Sequence, residues 1–105
     1  MKGATQLLED AIELLQRGWN PGPLSKDALG NVVDTDSPHA VSWSLEGALD
    51  AVCLRFGRNC MEVVSLIHRA NNIVSIGEWE DASWITQADV IALLRTTIEK
   101  MELRL

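Results

Sequence analysis

Residues 37–56 read SPHAVSWSLEGALDAVCLRF, and the fold turns on how this stretch is parsed. Pro38 suits the first turn of a helix, where its missing N–H has no intrahelical partner to lose, and Asp36 or Ser37 before it is a suitable N-cap. A helix from Pro38 to Phe56 then carries two apolar stripes. Val41, Leu45, Ala48, Leu49, Val52 and Phe56 form one, and Trp43, Gly47, Ala51 and Leu54 the other. Only His39, Ser42, Glu46 and Asp50 remain as a narrow polar edge. A helix apolar over so much of its circumference belongs at the centre of a fold. Gly47 in its interior costs about 1 kcal/mol relative to alanine, which implies close approach by another helix or by an indole. Glu46 and Asp50, one turn apart, repel mildly and belong on a solvated face.

Working outward, Leu7, Leu8, Ala11, Ile12 and Leu15 share one helical face, opposite Glu9, Asp10, Glu13, Gln16 and Arg17. This first helix stops at Gly18 in a left-handed conformation, with Trp19 folding back onto Leu14 or Leu15. Pro21, Gly22, Pro23 and Gly30 then break the pattern, so residues 20–36 form a long loop. Inside it, Leu24–Val33 fits a short two-stranded hairpin with positive φ at Gly30.

Downstream, Gly57 ends the second helix. Asn59 with Glu62 caps a third, whose core face is Cys60, Val63, Val64 and Ile67 and which closes near Asn71 and Asn72. Residues 73–85 read as a connection pinned to the core by Trp79 and Trp84. Thr86 with Asp89 is a capping box for the last helix, which continues through Val90, Leu94, Ile98 and Met101 toward Leu105. The expectation is a mainly α fold, a compact four-helix domain over residues 1–105 around a central second helix, with a short β-hairpin in the first long loop.

With 47% hydrophobic and 23% charged residues, the 105-residue chain has a globular composition and enough length for one core. No apolar run reaches the roughly 18–20 residues that cross a bilayer, so a cytoplasmic protein without a membrane partner is expected. Fifteen acidic against nine basic side chains give a net charge of -6, and no Lys/Arg run offsets it, so direct nucleic-acid binding is not expected. Cys53 and Cys60 sit at helical positions among apolar neighbours and read as buried free thiols, a disulfide being disfavoured in a reducing compartment.

No phosphate-binding loop, dinucleotide fingerprint, nucleophile elbow, zinc spacing or calcium loop is present. No catalytic residue, cofactor or metal is therefore assigned. His39 and His68 are far apart in sequence and read as surface or capping residues, His68 on the polar face of the third helix. Asp27, Asp34 and Asp36 cluster in the first loop and Glu78, Glu80 and Asp81 in the second. The two groups would make a divalent-ion site or acid–base pair if they met, but turn chemistry explains them more simply. Four tryptophans stand beside one Phe and no Tyr, with Trp19 and Trp79 at the loop edges. An indole there anchors a loop or floors a pocket.

Gly18-Trp19, the Trp43-Ser-x-x-Gly47-Ala48 run, and Trp79-Glu80-Asp81 followed by Thr86, Asp89 and Val90 make a recognisable set. The sequence resembles a family of small uncharacterised bacterial and phage proteins with a Gly-Trp loop, a Trp-Ser-x-x-Gly-Ala helix and a Trp-Asn-Asp turn. It departs from that pattern in having Glu80 where the family has Asn. The resemblance implies a helical domain and no catalytic residues.

The function expected is a non-enzymatic protein-interaction or regulatory module, phage-encoded or accessory, with a protein partner. The alternative is a small-molecule binder or minor enzyme with a pocket between the Trp19–Asp36 and Trp79–Ile85 loops, lined by Trp19, Asp27, Trp43, Trp79 and Asp81. Homo-oligomerisation through the last helix, ending Leu103-Arg104-Leu105, is a further expectation.

Overall fold

In the computed structural model, which describes residues 3–57 and 60–103, the order is α1 (Ala4–Arg17), β1 (Ser25–Lys26), β2 (Ser42–Trp43), α2 (Leu45–Phe56), α3 (Cys60–Asn71), α4 (Ile76–Glu80) and α5 (Gln87–Leu103). The mainly α expectation holds. The short α4 is an addition inside the second connection, started by Ser75, whose Oγ accepts from the Glu78 N–H at 3.2 Å. No helix among the described residues is long and apolar enough to cross a membrane.

The apolar face of α1 is buried as its periodicity requires, with Leu7, Leu8, Ala11 and Leu15 fully covered. Burying each such leucine stabilises by roughly 1.5–3 kcal/mol. The helix α1 packs on both α2 and α5, and α3 packs chiefly on α5, with little direct contact between α2 and α3. Polar stitches complete these contacts. The Asn71 amide donates to Ile67 O and to Thr97 Oγ1, both at 2.9 Å, joining the end of α3 to α5. Gln87 Nε2 donates to Leu15 O at 2.6 Å, satisfying a carbonyl at the end of α1. The capping box forms as read: Thr86 N–H donates to Asp89 Oδ2 at 2.9 Å, and Asp89 N–H to Thr86 Oγ1 at 3.3 Å. Asn72 takes a positive φ of 55°, ending α3 where the two asparagines suggested.

The central helix begins later than its sequence suggests. Pro38 lies in a turn, not a helix; Ser37 holds that turn by accepting from His39 N–H through Oγ and from Ala40 N–H through its carbonyl, both at 3.1 Å. Ser42 and Trp43 then form β2, antiparallel to β1 with Ser25 opposite Trp43 and Lys26 opposite Ser42. Ser44 is the real N-cap, its Oγ accepting from Gly47 N–H at 3.0 Å. Ser44→Ala is therefore expected to lower stability by about 1 kcal/mol and Ser37→Ala by less, as melting curves of the two variants would show. Val41 consequently leaves the predicted core stripe and is exposed, as is Leu54 on the outer face of α2.

The hairpin turn at Asp27–Asn31 is present, with Asp27 N–H donating to Asn31 O and Gly30 at φ 84°. The strand β1 before it pairs with β2, and the loop backbone at Leu24, just ahead of β1, lies over α2. Gly47 accommodates this crossing. A Cβ there would lie 1.7 Å from Leu24 O, so the close approach is made by a loop backbone, not by the helix or indole expected. Gly18 serves a similar purpose at the end of α1. It is extended, with φ 178°, rather than left-handed. A Cβ at Gly18 would lie 2.2 Å from Val41 O, and its carbonyl accepts from Trp43 N–H at 3.0 Å.

Two further expectations are corrected. Trp84 does not pin the second connection; it is 77% exposed, and the anchoring falls to Ile76, Trp79 and Glu80. Cys53 and Cys60 are not free thiols but a disulfide. The left-handed Gly57 reverses the chain between α2 and α3 and sets the two Cα atoms 5.9 Å apart, within ordinary disulfide reach. Asn59, proposed as the cap of α3, lies outside the described residues, as does the Arg104-Leu105 end of the proposed oligomer contact. Leu103 is described and exposed.

Candidate functional site

Two adjacent clefts open on the face formed by α2, the loop before it and α3. The first, of about 340 Å³, lies between α2 and α3 and is closed at one end by residues 74–76. Its apolar lining includes Leu24, Leu49, Val64 and Ile76, and Glu46 and Asp50 of α2 stand among it. His68 enters from α3 and is not a freely solvated residue of a polar face. Its Nε2 is buried with no hydrogen-bond partner among the described residues. Cys60 completes the wall where α3 begins.

The second cleft, of about 460 Å³, lies on the other side of Leu24 and Asp50, which line both. Val32, Val33 and Leu54 supply its apolar surface, and Asp34 and Asp36 its remaining charge. The geometry follows from the loop crossing at Gly47. Leu24 O accepts from Ser44 N–H at 3.1 Å, which lays Leu24 across α2 as a divider. Thr35 Oγ1 donates to Asp50 Oδ2 at 2.7 Å and fixes that carboxylate between the clefts. The result is an apolar surface with exposed Leu24, Val32, Leu54 and Val74. Its charged lining among the described residues is Asp34, Asp36, Glu46 and Asp50, with neither Lys nor Arg.

The residues singled out from the sequence lie elsewhere. Trp19 reaches across to the second loop, its Nε1–H donating to Glu80 Oε2 at 2.7 Å. The same oxygen accepts from Leu45 N–H at 2.8 Å, so one carboxylate ties the end of α1, the start of α2 and the end of α4. Glu80 is only 3% exposed, and burial pushes its carboxyl above the ordinary range. The two N–H donors oppose that shift, and the charges of Glu46 and Asp81 add to it. Trp79 packs partly buried against the core, and Asp81 is exposed, its N–H donating to Gly77 O to close α4.

Trp43 is buried, donating from Nε1 to Thr35 O at 3.1 Å with the Arg17 guanidinium 5.8 Å from its ring centroid. It borders a separate cavity of about 210 Å³ with Arg17, Asp36 and Arg55. Asp27 Oδ1 accepts from Leu29 and Asn31 N–H at 3.0 and 2.9 Å, the turn chemistry its flanking glycine indicated. Trp19, Trp79 and Asp81 are thus gathered at one end through Glu80, Trp43 sits in the core and Asp27 in the hairpin turn. None of the five lines either cleft. Among the described residues, no group of three or more His, Cys, Asp or Glu is arranged to hold a metal ion.

Sequence reasoning missed Leu24, Val74 and the outward role of Leu54. The available signal was apolar residues inside loops, where nothing local demands them.

The chain belongs to the family of unknown function DUF6197, whose model matches residues 1–100. No curated protein and no solved structure matches it.

Proposed function

We propose that this family member is a non-enzymatic interaction module, accessory or regulatory in role, whose paired clefts take a basic amphipathic segment of a partner protein. The observation that carries this reading is the charge of the apolar face. Leu24, Val32, Leu54 and Val74 are exposed, and the two clefts they border are lined by Asp34, Asp36, Glu46 and Asp50 with neither Lys nor Arg among the described residues. Contiguous apolar surface with a polar rim marks an interaction site, and an all-acidic rim selects a cationic partner, steers its approach and makes binding weaken with salt.

The test is anisotropy of a labelled helical-period Leu/Lys peptide. Wild type is expected to bind it, with affinity falling as salt rises. Leu54→Glu, at a 58% exposed position where folding should be unaffected, is expected to weaken binding by about tenfold. Equal affinity for wild type and Leu54→Glu, or no binding to wild type, would remove the proposal.

His68 Nε2, buried without a hydrogen-bond partner among the described residues, favours one second reading, a small apolar ligand in the α2–α3 cleft carrying a single hydrogen-bonding group. A ligand that raises the melting temperature of wild type but not of His68→Phe would support it, and a flat thermal-shift screen would count against it.

A further inference from the structure

We propose that the Cys53–Cys60 disulfide is a redox-responsive clasp on the cleft between α2 and α3, opened by a dithiol reductant that enters through Cys60. The proposal rests, for its effect on a partner, on the docking reading above. Its structural part stands on its own.

The disulfide joins the last turn of α2 to the first residue of α3, and these two helices are the walls of the cleft. They are otherwise held apart by different supports. The helix α2 rests on α1 and α3 on α5, and the two touch each other little. Among the described residues direct contacts between α2 and α3 are few, so the covalent link is a principal tie between the cleft walls at this end. The two sulfurs also differ in access. Cys53 is 2% exposed within the core, whereas Cys60 is partly exposed and lines the cleft. Cys60 Sγ lies 3.2 Å from Leu49 O, another cleft residue. A thiol there has an acceptor waiting, so reduction leaves no unpaired buried S–H at that sulfur.

The exchange follows from this asymmetry. One thiolate of the dithiol attacks Cys60 Sγ; a bond forms between the reductant and Cys60, and the Cys53–Cys60 bond breaks. Cys53 leaves as a thiolate and takes up a proton. The second thiol of the reductant, deprotonated, then attacks its own sulfur bonded to Cys60. The reductant is released as a cyclic disulfide, oxidised by two electrons, and Cys60 leaves as a thiolate that is protonated. The chain gains two electrons and two protons. An occupant of the cleft covers Cys60, so occupancy slows this attack. Because binding and redox state share the clasp, each shifts the other's equilibrium.

Three measurements on the full chain test this. With dithiothreitol as reductant, amides of the first turns of α3 are expected to exchange with solvent about threefold or more faster than in the oxidised chain, as local opening becomes easier. Cys60→Ser without reductant should behave as the reduced chain does. Excess monothiol, quenched early by acid, should leave its adduct on Cys60. Unchanged exchange on reduction, or an adduct on Cys53, overturns the clasp. Finally, the Leu/Lys peptide should bind the oxidised chain more tightly than the reduced one, and equal affinity overturns the regulatory step. If the peptide binds neither form, the docking reading and this regulation of it both fall, while the exchange and adduct measurements still decide the clasp itself.

Discussion

Replacing Gly47 with alanine should lower the melting temperature by about 10–20 °C, although alanine is the better helix former by about 1 kcal/mol. The reason is the loop laid across α2. An added Cβ meets Leu24 O at 1.7 Å, Leu24 C at 2.6 Å and Leu24 Cα at 3.0 Å, all backbone atoms. Leu24 cannot simply retreat. Its carbonyl accepts from Ser44 N–H at 3.1 Å, and the next residue, Ser25, opens the β1–β2 pairing opposite Trp43. Relieving the clash gives up that hydrogen bond, the strand register or both, a cost of about 2–4 kcal/mol that exceeds the propensity gain. Gly77→Ala supplies the contrast. Its Cβ would meet Glu46 Oε1 at 2.8 Å, the far end of a side chain free to turn away, so its stability should stay within about 0.5 kcal/mol of wild type. Thermal denaturation followed by circular dichroism measures both. A Gly47→Ala protein as stable as the parent would mean that Leu24 does not lie on α2 as described.

The same crossing shows why the sequence was legible in parts only. The helix α5 and the C-terminal end of α1 were read nearly where they lie, because periodicity and end signals agree there and no distant segment competes. At residues 37–56 the local start signal is overruled. Ser37-Pro38 suits a helix N-terminus, but the helix is capped at Ser44, because Ser42–Trp43 pair with Ser25–Lys26, an upstream segment invisible to a local pattern. Gly47 signalled a close approach correctly, but a lone glycine does not say what approaches. Cys53 and Cys60 looked like two positions on helical faces. The reducing compartment expected for the chain argued against a disulfide, yet the reversal at Gly57, which the sequence did indicate, makes the two residues neighbours. As for the candidate site, the two loops flagged by their aromatic and acidic residues do meet, through Trp19 and Glu80. That meeting is a partly buried hydrogen bond and not a pocket. The open surface is formed by Leu24, Leu54 and Val74, whose exposure depends on which helix faces remain uncovered, a tertiary outcome.

Glu80 is the other position where a single change should have a large effect. Glu80→Ala removes the acceptor for Trp19 Nε1–H and Leu45 N–H together. Each buried donor left unpaired costs about 1–3 kcal/mol, so a loss of about 2–5 kcal/mol is expected, visible as a lower denaturant midpoint with an unchanged slope. Glu80→Gln separates the acceptor from the charge. The amide oxygen can accept both hydrogen bonds, while nothing ionised is buried. Burial raises the folded-state pKa of Glu80 above its ordinary value of 4.5. The folded chain therefore holds this proton more tightly than the unfolded one. The stability contributed by the protonated form is complete below about pH 4.5 and is lost as pH rises through the folded-state value. In that window wild type weakens and Glu80→Gln does not, so the stability of Glu80→Gln relative to wild type should grow from about pH 4.5 upward and then level off. Charges distant from Glu80 cancel in the difference, while those of Glu46 and Asp81, which add to the raised value, belong to the Glu80 effect. A difference that stays constant with pH would show that the buried carboxyl titrates as it does in the unfolded chain. One that shrinks as pH rises would show that the two N–H donors outweigh the cost of burial, so that Glu80 holds its charge in the fold as a stabilising anion.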